Sequence, residues 1–395
     1  MDKKINKHFC IQPFVNVNTR VEGQNNVCCN IWNKDSNITH QSPLDFFNDR
    51  HVSDMRERLL AGHKIDACRL CHYQEENSND SHRIQYNKYY NIKNLQETQY
   101  YEDILRKLKI SKLRNPLYAE IHVSNLCNLK CLTCNERDSS RFHSENKILG
   151  ISQEPNADYS ICDIDKIKAI KSVITKDLLF LDVRGGETLM VPEIKKILAE
   201  VDATLSEKIT LKIQTNGTIL PDDDWIKIFK KFKKTKVNLS VDAYGENNNY
   251  VRYPSDWSKI QKTILCLQKN RIKFIVNTVV SNINLLVLDK LFKWIQDNKF
   301  LNYFYILDAP THYRPFNLPQ SLLDIAVKRL QNVKRDFANQ ECNQKLDDLI
   351  EMCRSSSATG LWQVFCNEIK MRDKHRKNMI TNIIPEMKEY LDAKI

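Results

Sequence analysis

From residue 117 onward one pattern recurs: a short run with apolar and polar residues alternating, followed by a stretch of helix length. Such runs cover 117–124, 178–184, 209–215, 237–242, 273–280 and 303–307, and the intervening helices are expected near 192–205, 222–233, 257–269 and 286–298. Regular strand–helix alternation predicts a parallel sheet with right-handed crossovers. Six units are too few for a complete eight-stranded barrel. The expected fold is therefore α/β, a partial (β/α)6 barrel of the TIM type. It spans 115–318, with a Cys-rich segment over 1–85, a helical connector over 86–114 and a helical region over 319–395.

Successive side chains in a strand face opposite ways. Ile121 and Val123 therefore oppose Glu120, His122 and Ser124. Leu181 and Val183 oppose Asp182 and Arg184, and Leu211 and Ile213 oppose Lys212, Gln214 and Asn216. Val237, Leu239 and Val241 oppose Asn238, Ser240 and Asp242. Helices cover the outside of a parallel sheet, so the polar faces are expected to point inward and line a wet cavity. Glu120, His122, Asp182, Arg184 and Asp308 are the candidate substrate contacts.

Composition narrows the function classes. No run approaches the ~18 apolar residues of a membrane span, and the charged start Met-Asp-Lys-Lys-Ile-Asn-Lys-His lacks the apolar core of a secretory signal. A cytoplasmic location is the simplest expectation. The net charge of +11 is spread along the chain, and the basic runs 230–234 and 370–377 read as solvated helix faces. Neither a nucleic acid nor a membrane is expected as partner.

The 13 cysteines point to metal or redox use, because disulfides are disfavoured in the cytoplasm. Cys162, Cys266, Cys342, Cys353 and Cys366 are isolated and are assigned to packing. Cys127, Cys131 and Cys134 stand in C-x3-C-x2-C spacing just after the first run. Structural zinc takes four ligands, whereas three thiolates on one loop suit a cubane iron–sulfur cluster with one iron left open.

With that loop the sequence resembles the radical SAM superfamily, whose usual fold is the partial barrel. Further matches follow in order. Gly185-Gly186-Glu187 is similar to the family's GGE motif, which holds the methionyl amine of S-adenosylmethionine (SAM). Asn216, in Gln214-Thr215-Asn216-Gly217, matches a segment near the SAM ribose. Ser240 and Asp242 end the fourth run, with Arg252 downstream. The resemblance gives the Ser and the Arg the SAM carboxylate, for which Arg is the natural bidentate partner. Asn277 falls where the family contacts ribose and adenine. Thr133 departs from the aromatic residue common before the last cysteine.

Cys10, Gly23, Cys28 and the pair Cys68/Cys71 resemble the opening of a SPASM domain, truncated as in its "twitch" form. The resemblance implies an auxiliary [4Fe–4S] cluster on Cys10, Cys28, Cys68 and Cys71, with Cys29 as the alternative to Cys28. A four-Cys zinc knuckle is the competing reading. Such modules usually follow the barrel, and here the cysteines precede it.

The implied activity is reductive cleavage of SAM at the [4Fe–4S] cluster of Cys127, Cys131 and Cys134. The resulting 5′-deoxyadenosyl radical abstracts hydrogen from a substrate. A peptide or protein substrate is the first expectation and a small polar metabolite, a sugar or nucleotide derivative, the second. An electron donor such as flavodoxin or ferredoxin is the implied partner. A non-catalytic Fe–S or zinc scaffold is the reading from another class.

Overall fold

The structure, a computed structural model, describes residues 7–31, 42–78, 81–89, 115–154, 157–356 and 360–392. Eight strands make one sheet: β1 (Asn16–Thr19), β2 (Asn25–Asn26), β3 (Tyr118–His122), β4 (Phe180–Arg184), β5 (Thr210–Thr215), β6 (Lys234–Ser240), β7 (Lys273–Val280) and β8 (Asn302–Ile306). Their order is β2-β1-β3-β4-β5-β6-β7-β8. Every pair from β1 to β8 is parallel, and β2 turns back antiparallel on β1. The six expected strands are present in sequential order. β2 and β8 are the two edges, so the barrel stays open.

Helices cover the apolar face. Between β5 and β6, helix Asp223–Lys231 buries Trp225, Ile226, Ile228 and Phe229 and is capped by the Asp222 carboxylate on Trp225 N–H. Between β6 and β7, helix Trp257–Lys269 buries Ile260, Ile264 and Leu267, with Asp256 as its cap. Each such side chain is worth about 1.5–3 kcal/mol when taken from water. Leu211, Ile213, Val237 and Leu239 are buried on the strands' apolar side.

Two features differ from the expected layout. The N-terminal segment does not stand apart from the barrel: β1 pairs with β3, Asn18 opposite Glu120, and extends the same sheet. The helical region after 319 shares the barrel's core. Leu322, Leu346 and Phe365 pack in one cluster with Phe292 and Phe304. The connector expected over 86–114 lies, from residue 90 to residue 114, outside the described residues. No described helix is long and apolar enough to cross a membrane.

Candidate active site

The cysteine loop leaves β3 and is pinned on three sides. Toward β4, Gly186 N–H donates to Ser124 O and Glu187 N–H to Leu126 O, both at 2.7 Å. Toward the segment after β6, Lys130 N–H donates to Tyr253 O at 2.6 Å and Leu132 N–H to Val251 O at 3.0 Å. Toward the following helix, Ser140–Leu149, Ser139 Oγ donates to Leu129 O at 2.7 Å. Cys127, Cys131 and Cys134 pack together around Leu129. Burial, then the neighbouring Cys131, pushes the Cys127 thiol up to about 12. Burial and the same neighbour raise Cys134 well above its ordinary value. Three thiols, Cys127 and Cys131 buried and Cys134 half-buried, that repel one another as thiolates form a donor set that a polycationic cluster would satisfy.

Gly185, Gly186, Glu187 and Asn216 lie beneath this loop rather than on a cavity wall. A Cβ on Gly185 would sit 2.3 Å from Ser124 O, and one on Gly186 would sit 2.3 Å from Leu126 O. The glycines therefore allow close approach of β4's end to the cysteine loop. Glu187 is fully buried and accepts from Thr215 Oγ1 at 2.7 Å, Asn216 N–H at 2.7 Å and Leu189 N–H at 3.1 Å. Burial raises its pKa despite these donors. Asn216 Nδ2 in turn donates to Asn128 Oδ1 of the cysteine loop at 2.9 Å. This quartet is a buttress for the loop.

Ser240, Asp242, Arg252 and Asn277 share a different setting: all four line the barrel cavity. Asp242 is buried and takes Val279 N–H at 2.8 Å and Arg252 Nη1 at 2.7 Å. Burial alone would lower the Arg252 pKa, but Cys131 and Asp242 outweigh it and hold the guanidinium firmly charged. Arg252 Nε is buried with no partner. Arg252 itself lines the cavity beside the thiols, and a charged guanidinium there with a donor to spare fits the carboxylate of an amino-acid-like ligand such as SAM. Ser240 Oγ accepts from Gln214 Nε2 at 2.8 Å.

The cavity holds about 1010 Å³ and its strand-borne walls are the expected polar faces. Asp182 and Arg184 line it, with Arg184 donating to both Asp182 oxygens at 3.0 and 2.9 Å. Glu120 and His122 stand just behind, Glu120 3.5 Å from Arg184 and 3.3 Å from His122. Asp308 is the exception among the expected contacts, because it is half-exposed, ion-paired with Arg314 and outside the cavity lining. It follows β8 beyond the last inward-facing position.

Cys10, Cys28, Cys68 and Cys71 line a second, smaller cavity together with Gln12. Both polar atoms of the Gln12 amide are buried without partners. Burial and nearby thiols raise Cys10 and Cys28 and push Cys68 up to about 11. Cys29 turns the opposite way, into the barrel cavity, with its Sγ 3.5 Å from His82 Nδ1. His82 and Tyr86 line both cavities and form the wall between them. Among the described residues, no group of three or more His, Cys, Asp and Glu side chains is drawn together as the shell of a single metal ion would be.

Sequence reasoning missed two contributions from the C-terminal helices. Glu341, Gln344, Lys345 and Asp348 of helix Glu341–Ser355 close one side of the barrel cavity. Their i, i+3, i+4, i+7 spacing marks one helix face, but a polar face ordinarily reads as solvent-facing. In helix Leu361–Arg376, Arg372 and Arg376 are buried, which corrects the reading of 370–377 as wholly solvated. Both reach Glu145, and Arg376 also donates to Lys130 O of the cysteine loop at 2.8 Å.

Residues 121–295 match the Radical SAM superfamily. The GTP 3′,8-cyclase of Clostridium acetobutylicum is 29% identical over 171 residues, 42% of this chain and 48% of the relative. The cysteine-type anaerobic sulfatase-maturating enzyme of Clostridium novyi is 29% identical over 124 residues, 29% of this chain and 33% of the relative. The chain thus spans less than half the length of these curated relatives. A solved structure of native anSMEcpe with bound AdoMet shares 22% identity over 53% of this chain and 58% of its own, at a TM-score of 0.38. With the cysteine loop, its Gly-Gly-Glu buttress and Arg252 all inside the matched span, residues 121–295 are a radical SAM domain.

Proposed function

We propose that this protein is a radical SAM enzyme that modifies a peptide or protein held in the barrel cavity. The observation that carries the reading is Arg252, which lines the cavity beside the cysteine loop and keeps an unpartnered Nε. Cys127, Cys131 and Cys134 would hold a [4Fe–4S] cluster that, with SAM bound, would supply hydrogen-abstracting radical chemistry. Arg252 binds the carboxylate, Asp242 fixes the arginine, and Ser240 and Asn277 offer polar contacts along the cavity wall. Glu187 and Asn216 keep the loop in register from below. The open cavity edge between β2 and β8 suits entry of a chain segment, and the sulfatase-maturating relative is named for action on a protein.

A small metabolite is the second reading, and the longer alignment, to a GTP cyclase, favours it. Under either reading Cys10, Cys28, Cys68 and Cys71 hold an auxiliary cluster. His82 and Tyr86 line both that site and the cavity, so a cluster held there would stand next to the substrate chamber, placed to exchange electrons with it. Thirteen free cysteines suit a reducing, cytoplasmic setting with a donor such as flavodoxin or ferredoxin.

The test is anaerobic reconstitution with iron and sulfide, followed by reduction with SAM present. The expected product is 5′-deoxyadenosine, absent from the variant Cys127→Ala/Cys131→Ala/Cys134→Ala. Undiminished 5′-deoxyadenosine from that variant would falsify the assignment.

A further inference from the structure

The inner face of the sheet is organised in rows set by strand register. One row runs Glu120, Asp182, Lys212, Lys236 across β3 to β6. Its two halves carry opposite charge, and the acidic half is the better neutralised. Asp182 accepts from Tyr118 Oη at 2.7 Å and twice from Arg184, and Glu120 is met by Arg184 and His122. On the other half, Lys212 Nζ donates to Tyr118 Oη at 3.0 Å and lies 4.7 Å over that ring. Burial lowers the Lys212 pKa, even with Asp182 and Glu120 opposing. Lys236, one strand further from those carboxylates, makes no hydrogen bond or ion pair among the described residues. Burial, then Lys234, Lys212 and Lys273, lowers its pKa, and no carboxylate offsets them. Both lysines line the barrel cavity. Two half-buried ammonium groups side by side, the outer one with no carboxylate against it, are costly in the empty protein.

We propose that the Lys212–Lys236 pair is a binding subsite for an oxyanion of the substrate, a carboxylate or a phosphate. The proposal rests on the barrel cavity being the substrate chamber and adds the chemical class of what enters it. It also sets a length. Lys236 lies four residues before Ser240 on β6, about 13 Å along the strand at ~3.3 Å per residue. A substrate anchored at the lysines and attacked at the Ser240 end therefore spans roughly that distance between its anion and its reacting carbon. An acidic side chain of a peptide and a nucleotide phosphate share this chemistry.

The experiment is calorimetric titration of the anaerobically reconstituted protein, SAM present, at low salt with two probes, inorganic pyrophosphate and glutarate. At least one probe is expected to bind. Lys236→Gln should weaken that binding roughly tenfold or more, Lys212→Gln/Lys236→Gln should abolish it, and Lys236→Arg should retain most of it. Tighter pyrophosphate indicates a phosphorylated substrate, and tighter glutarate an acidic side chain. Binding of neither probe to the wild type, or unchanged binding to Lys236→Gln, overturns the proposal. Lys236 holds no other described side chain in place, so its variant folds; if Lys212→Gln does not, the single variant decides. SAM affinity is titrated separately on the same samples. A protein that binds anion but not SAM would sink the radical SAM reading and leave the subsite standing, and the reverse result would do the opposite.

Discussion

Arg252 carries two kinds of nitrogen. Nη1 is committed to Asp242, whereas Nε is buried and uncommitted. Arg252→Ala should weaken SAM binding roughly tenfold or more, since charge-assisted pairs contribute about 1.5–3 kcal/mol; equilibrium dialysis of the reconstituted protein measures it. Asp242→Asn should move affinity the same way by less, because Asn still accepts from Arg252. At Gly186 the expectation is structural. Its added Cβ would meet Leu126 O at 2.3 Å, so Gly186→Ala must shift the cysteine loop. Overpacking of this kind costs about 1–3 kcal/mol. The variant should lose iron from the loop and melt earlier, with both followed by iron assay and thermal scan. The C-x3-C-x2-C spacing made the thiols legible in the sequence. The glycines' close approach to the loop backbone was not, because a Gly-Gly pair reads the same whether it faces a ligand or a neighbouring backbone.

At the scale of elements, helix Leu361–Arg376 is tied to helix Ser140–Leu149 through buried charge. Glu145 takes Arg372, Arg376 and Lys130. Burial alone would raise its pKa, but these cations hold it down at about 2. His312 and Arg372 similarly hold Glu368 at about 2 against burial. Both folded values lie below the ordinary 4.5, so the stabilisation is complete above the ordinary carboxylate range and is lost as pH falls through about 2. Urea melts should show stability falling between about pH 5 and pH 2. Glu145→Ala should cost about 3–5 kcal/mol near neutrality, leaving Arg376 buried without its anion and Arg372 with Glu368 alone, and should flatten that acid slope. The crossover helices were readable from the strand–helix alternation: the 257–269 helix has the bounds its pattern predicts. Arg372 and Arg376 were not readable, since a basic run gives no sign that its partner lies more than 220 residues away.

For the whole molecule, the two proposed clusters set an iron count. Reconstituted protein should hold about eight irons, and Cys68→Ala/Cys71→Ala about four with SAM cleavage retained. Four irons plus zinc in the wild type would replace the auxiliary cluster with a zinc knuckle. The six-strand order and the polar inner faces could be read from alternation because a parallel sheet leaves only one face for water. β1 could not: Asn-Val-Asn-Thr is buried throughout and shows no contrast between its faces.

The barrel cavity has walls from three places in the chain. Cys29, His82 and Lys88 come from before the matched domain, Tyr303 and Tyr305 of β8 and Glu341, Lys345 and Asp348 from after it, and the lining residues from Asp182 to Val279 from within it. The matched span 121–295 thus contains the cysteine loop and Arg252 but lacks part of the cavity wall that a substrate would touch. Two proteins can agree across that span and still select different molecules. Substrate preference in such a molecule can drift through a tail helix that bears no motif, while the chemistry beneath it is inherited unchanged.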